Sequence, residues 1–134
     1  MRVLVVNAGS SSLKLRVLDA HDELLADEEL EAPGAVFDEK TVLEALERLP
    51  RADAVGHRVV HGGERFSGPV RLTDDVVAYL RSLSDLAPLH QDAALSAAEV
   101  VGRATARTPA VACFDTSSHA HMPAAASTYA IPRE

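Results

Sequence analysis

The stretch from Arg2 to Asp19, Arg-Val-Leu-Val-Val-Asn-Ala-Gly-Ser-Ser-Ser-Leu-Lys-Leu-Arg-Val-Leu-Asp, leaves the chain few ways to begin. The apolar run Val3 to Val6 reads as a buried strand. Small polar residues break it, and alternation resumes at Leu13, Leu15 and Val17. The result is strand, tight glycine-containing loop, strand. Gly9 allows close backbone approach, and Ser10, Ser11 and Ser12 bring hydroxyls beside free N–H groups. With Lys14 as a point cation, that is what a polyphosphate needs. A Walker A loop would end in GK[ST] and open a helix. Here a strand follows, so this is a phosphate-binding hairpin of another kind or, taken alone, an ordinary serine-rich turn.

At 134 residues the chain is expected to be one domain, burying about two-thirds of its unfolded surface. A hydrophobic fraction of 47% with 25% charged residues makes it globular. The net charge of −7 argues against a nucleic-acid surface. An anionic ligand must then be held by a few local cations, with Mg²⁺ as a further counter-charge. There are two lysines, Lys14 and Lys40, and one of them sits by the phosphate hairpin. Cys113 is the only cysteine, which excludes an internal disulfide and fits a reducing compartment. The apolar start is too short for a signal peptide, and no stretch is long enough to span a bilayer. A cytoplasmic location without membrane or nucleic-acid partners is expected.

Further on, Glu23 to Leu30 suits a third strand, placed at an edge by its acids, and Ala32-Pro33-Gly34 breaks the chain. Asp38 is an N-cap for a helix from Glu39 to Leu49, with Val42, Leu43, Leu46 and Leu49 on one face. Ala54 to Val60 is a fourth strand. Thr73 caps a second helix through Val76, Val77, Leu80 and Leu83, and Asp92 to Ala106 is a third, alanine-rich one. Ala110 to Phe114 is a fifth strand ending at Asp115. The predicted order βββ-α-β-α-α-β describes an α/β fold, a mixed five-stranded sheet with flanking helices. Ligands on such sheets collect at strand ends. Three polar clusters, 7–14, 57–65 and 115–121, abut predicted strand ends.

In the second cluster, Gly56-His-Arg-Val-Val-His-Gly-Gly-Glu-Arg65, an arginine emerges from a strand into paired glycines. That suits a planar, bidentate grip on a carboxylate or phosphoryl group. His57 and His61 imitate a zinc pair, but four-residue spacing aligns ligands on a helix, not on a strand, so they read as structural. The third cluster puts Asp115 at a strand end, and its His119–His121 pair lacks neighbouring ligands for a metal. Pro88 in Leu86-Ala-Pro-Leu-His90 fixes a turn that presents His90, which alternatively caps a helix–helix connection.

Read together, these segments closely resemble the acetate kinase family. The match rests on Asn7-Ala-Gly-Ser-Ser-Ser-Leu-Lys14, Gly56-His-Arg-Val-Val-His-Gly-Gly63, Leu86-Ala-Pro-Leu-His90, Phe114-Asp115-Thr116 with His119 and Met122-Pro123, and Tyr129-Ala-Ile-Pro132, in family order along nearly the whole chain. The resemblance implies a ribonuclease H-like lobe of the actin, hexokinase and Hsp70 superfamily. It also implies Mg²⁺-dependent phosphoryl exchange between ATP and acetate, giving ADP and acetyl phosphate. Carried over by position, Asn7 resembles the residue at the Mg²⁺ and phosphate site. Lys14, with Gly9, Ser10 and Ser12, resembles the ATP-phosphate site. Arg58 resembles the substrate-binding arginine, Val60 and Leu89 the apolar pocket for the acetate methyl, His90 the histidine at the transferring phosphoryl group, and Asp115 the catalytic aspartate. Gln91-Asp92 and Ser117-Ser118 depart from the family pattern, and the stretch between Leu30 and Asp53 is shorter than usual. These departures bear on acyl-chain choice.

The family's second arginine, adenosine pocket and Mg²⁺-linked glutamate would lie beyond Glu134. The resemblance therefore implies that residues 1–134 form a single N-terminal lobe, inactive alone, whose C-terminal nucleotide-binding lobe is absent from this chain. It also implies a full-length homodimer. Acetate is already an anion at pH 7, so Asp115 reads as an organiser of Mg²⁺, water or Arg58 rather than as a base. A propionate or butyrate kinase lobe, and a non-catalytic phosphate-binding or assembly domain, are the alternative functions.

Overall fold

The computed structural model describes residues 1–9, 11–60, 62–66, 68–84, 88–105 and 108–114, and for residues 88–90 the backbone alone. The N-terminal alternation forms an antiparallel meander of β1 (Val3–Ala8), β2 (Ser12–Leu18) and β3 (Leu24–Glu31). The first turn is closed by the Gly9 N–H donating to the Ser12 carbonyl at 2.8 Å. The second is held by the Asp19 carboxylate, which accepts from the N–H groups of His21 (2.7 Å) and Glu23 (3.0 Å). These bonds keep that carboxyl below its ordinary range.

The rest of the chain adds α1 (Glu39–Arg48), β4 (Ala54–Val59), β5 (Val70–Arg71), α2 (Asp74–Arg81), α3 (Pro88–Ala104) and β6 (Ala110–Phe114). The strand order is β3-β2-β1-β4-β6-β5, with β1, β4 and β6 parallel and β5 antiparallel to β6. Among the described residues the sheet thus has six strands, not the expected five. The extra one is the pair Val70–Arg71 opposite Ala112 and Val111, and two residues are too few to show a period of two. The acidic strand β3 is indeed an edge.

The helix starts follow from their caps. The Asp38 carboxylate accepts from the Thr41 N–H at 3.1 Å and the Thr41 hydroxyl at 2.8 Å. The Thr73 hydroxyl accepts from the Val76 N–H at 3.3 Å. Helix α3 starts at Pro88 rather than at Asp92, because proline at the first helical position loses no hydrogen bond. The expected turn presenting His90 is therefore the first turn of α3. Gln91, fully buried in that turn, donates from Nε2 to the Leu80 carbonyl at 3.1 Å and so fastens α3 to the end of α2. Asp38→Ala should cost about 1 kcal/mol, since it strips an N-terminal donor of its acceptor while burying nothing new. Urea unfolding at pH 7 measures it, and a loss below about 0.3 kcal/mol would deny the cap a role in stability.

One face of the sheet carries the core. Leu4, Val6, Leu13, Leu15, Val17 and Val55 pack against Val42 and Ala45 of α1 and Ala97, Val100 and Val101 of α3. Val59, Ala112 and Phe114 pack against Val76 and Leu80 of α2 and Ala94 and Leu95 of α3. The alanines of α3 let it lie close on the strands. Among the described residues all three helices lie on this face. The alternate positions of each strand point the other way.

Candidate functional site

Register decides what that second face presents. Lys14 is opposite Asn7 on one side and Glu29 on the other, and Arg58 is opposite Cys113. Val6 pairs with His57, which sets Asn7 beside Arg58. One rung across five strands therefore reads Glu29, Lys14, Asn7, Arg58, Cys113. The next reads Asp27, Arg16, Val5, Gly56, Val111. Within the first rung, Arg58 Nη1 donates to Asn7 Oδ1 at 3.1 Å. A cavity of about 240 Å³ opens over the two rungs, lined by Val5, Asn7, Lys14, Arg16, Arg58 and Cys113, among others. Among the described residues three cations, Lys14, Arg16 and Arg58, line it against one acid, Asp22, on a chain of net charge −7. Burial pushes the Cys113 thiol up to about 11, so it stays protonated and is no nucleophile at neutral pH.

Of the residues singled out from sequence, Asn7, Lys14 and Arg58 come together. Lys14 reaches the site from within β2 rather than from the hairpin loop. The Gly9 N–H is engaged by the Ser12 carbonyl, so it is not an open donor for phosphate. Ser12 is the first residue of β2, and Val60 follows β4, half-buried. Leu89 and His90 lie in the first turn of α3, but their side chains fall outside the described residues, as do Ser10, His61, Asp115, His119 and His121.

His57 points away from Arg58, into the helix-covered layer. It is 2% exposed, its Nδ1 meets no hydrogen-bond partner among the described residues, and burial lowers its pKa to about 4. That placement matches the structural reading of this histidine. The described residues do not by themselves fit a Mg²⁺ ion. Asn7 Oδ1 already accepts from a guanidinium and has Lys14 opposite it, whereas Mg²⁺ wants a near-octahedral set of oxygens. No group of three or more His, Cys, Asp or Glu suited to a metal occurs among the described residues.

The glycine pair after β4 has a packing role that spacing did not reveal. A Cβ at Gly62 would lie 2.7 Å from the Phe66 carbonyl oxygen and 3.2 Å from the Phe114 ring. Gly63, at φ +65°, would press one to 2.5 Å from the Tyr79 hydroxyl. Phe66 meets Tyr79 edge-to-face at 5.5 Å and stacks on Phe114 at 6.0 Å. Of the cavity residues that sequence reasoning passed over, Arg16 was findable, since it shares the parity of Lys14 in β2.

Comparison with known proteins agrees with the fold. A model of the Acetokinase family matches residues 31–134. The acetate kinase of Rhodopseudomonas palustris is 37% identical over 166 aligned positions, covering 98% of this chain and 42% of that protein. The alignment is longer than the chain, so the relative has segments without a counterpart here. The crystal structure of Porphyromonas gingivalis acetate kinase superposes with a TM-score of 0.73 at 29% identity, over 87% of this chain and 37% of that one. A propionate kinase from Francisella tularensis superposes with a TM-score of 0.69 at 29% identity, over 99% and 41%. The chain thus spans about two-fifths of the length of these relatives.

Proposed function

Because the chain belongs to the acetokinase family, we propose that it is the N-terminal lobe of a kinase passing the γ-phosphoryl group of ATP to acetate. Its sheet is an actin-like ATPase lobe. The observation that carries the reading is the Asn7–Arg58 hydrogen bond in one rung with Lys14.

The chemistry explains why cations stand there. Acetate needs no general base at pH 7, because its carboxyl titrates near 4–5, roughly the carboxyl range. The obstacle is repulsion: two unit charges about 4 Å apart cost on the order of 4 kcal/mol at an effective dielectric near 20. Arg58 offers a planar fork to the carboxylate, and Asn7 Oδ1 holds one of its nitrogens and so fixes the plane of the fork. Lys14 adds a second positive charge. Val60 and Leu89 border the methyl, His90 in the first turn of α3 donates to the moving phosphoryl group, and Asp115, next after β6, orients its neighbours without taking a proton. Phosphoryl transfer is largely positioning and charge stabilisation. Mg²⁺ accompanying the nucleotide would supply counter-charge to the phosphates, and no step here is assigned to it. We place the adenosine pocket in the part of the family's length that this chain does not span. A propionate-specific lobe is the second reading, favoured by the equal identity to the Francisella tularensis enzyme. With no helix among the described residues long and apolar enough to cross a membrane, and with Cys113 buried, a cytoplasmic lobe fits this reading.

Calorimetric titration of the chain with acetate, propionate, butyrate and acetyl phosphate tests the proposal, alongside a coupled assay with ATP and acetate. Acetate and acetyl phosphate should bind in competition, and turnover should be undetectable. The reading falls if no carboxylate binds. Turnover in the ordinary range of about 1–10³ s⁻¹ would instead show that a single lobe suffices.

A further inference from the structure

Arg65 stands on the turn that leaves β4, seven residues after Arg58, and the reading above does not use it. No carboxylate holds it: among the described residues its guanidinium makes no ion pair, although Glu64 is its neighbour in sequence. It lies instead 5.4 Å from the centre of the Phe66 ring and 5.2 Å from that of Tyr79. The Arg65 N–H donates to the Tyr79 hydroxyl at 3.3 Å, and the Phe66 N–H donates to the Gly62 carbonyl at 3.3 Å. The turn is therefore fixed at both backbone and side chain, and Gly62 and Gly63 are what let it close on the aromatic rings. Rings orient a guanidinium without occupying its N–H donors, so an exposed arginine held this way keeps its fork for a ligand. The turn lies at the carboxyl ends of parallel β4 and β6, and Phe66 stacks on Phe114, the residue before Asp115.

We propose that Arg65 is a separate anion-binding residue, on the helix-covered side of the β4 and β6 ends rather than over the Arg58 rung, taking oxygens of a phosphate group. Naming the phosphate as that of the phosphoryl donor rests on the kinase reading; the binding of phosphate by Arg65 does not. The test is calorimetric titration with inorganic phosphate and, separately, with acetate, for the unaltered chain and for Arg65→Gln, Arg65→Lys and Tyr79→Phe, with thermal unfolding in parallel. Arg65→Gln should weaken phosphate binding at least about tenfold and leave acetate binding unchanged. Arg65→Lys should recover part of the loss. Tyr79→Phe, which keeps the ring and removes the acceptor of the Arg65 N–H, should weaken phosphate binding a few-fold without lowering the melting temperature. The proposal is overturned if the unaltered chain binds no phosphate, if Arg65→Gln leaves phosphate affinity within twofold, or if phosphate and acetate affinities fall together with stability. Phosphate binding that depends on Arg65 in a chain that ignores acetate would support Arg65 and sink the kinase reading instead.

Discussion

Replacing Arg58 by alanine should remove carboxylate binding from this chain. The bond to Asn7 Oδ1 holds the guanidinium over the cavity, and charge-assisted hydrogen bonds to an anion contribute about 2–4 kcal/mol when lost together. That corresponds to roughly a 30- to 1,000-fold weaker dissociation constant for acetate. Folding should change little, because Arg58 is exposed and the rung is otherwise intact. Arg58→Lys should recover little, since an ammonium cannot offer two parallel N–H groups while also satisfying Asn7. Calorimetric titration of the three chains at pH 7 reads the result. Near-normal affinity in the lysine variant would mean that any positive charge suffices and that the Asn7–Arg58 geometry has no part in recognition.

Acid should unfold the chain through His57. In the unfolded chain its imidazole titrates near 6.5; in the folded one burial holds it to about 4. Below pH 6.5 the unfolded chain takes up a proton that the folded chain refuses, so stability falls as pH drops from 6.5 towards 4 and the term levels off below that. The full loss is about 3 kcal/mol, a large share of a small domain's stability. Urea unfolding at pH 7, 5.5 and 4.5 should show the decline, and His57→Leu, similar in volume, should flatten this part of it. The leucine should also spare the cost of the unpartnered Nδ1. Carboxylates titrate in both proteins, so the difference between the two pH profiles isolates the histidine. Parallel profiles would mean that His57 gains its proton without unfolding.

The elements with strong local signals were legible in the chain: the hairpin at Gly9, the caps Asp38 and Thr73, and the acidic edge strand. Two short-range features were not. A two-residue strand shows no periodicity, and Pro88 serves both a turn and a helix start, a choice made by Gln91 reaching the Leu80 carbonyl. The site was legible as separate polar clusters but not as a rung. Nothing local states that β1 and β4 are parallel neighbours in the register that puts Asn7 beside Arg58; that follows from burying Val6 and Val55 under α1 and α3. The aromatic packing under the glycine pair was hidden for the same reason, since Tyr79 meets Arg65 from 14 residues away.

The rung has a consequence for when the site comes into being. Asn7 and Arg58 are 51 positions apart, and the rung ends at Cys113 on β6, near the end of the described chain. Closing contacts over such separations is slow and comes after local hairpins and helices. A chain emerging from synthesis would show Lys14 and Asn7 together early, as part of a hairpin, but could not present Arg58 against them until β4 had docked on β1. Anion affinity is then a property of the assembled sheet rather than of any segment of it. By mass action, an anion spanning β2, β1 and β4 favours the docked state, so ligand present during synthesis or refolding would act as a clamp on the strands that join last.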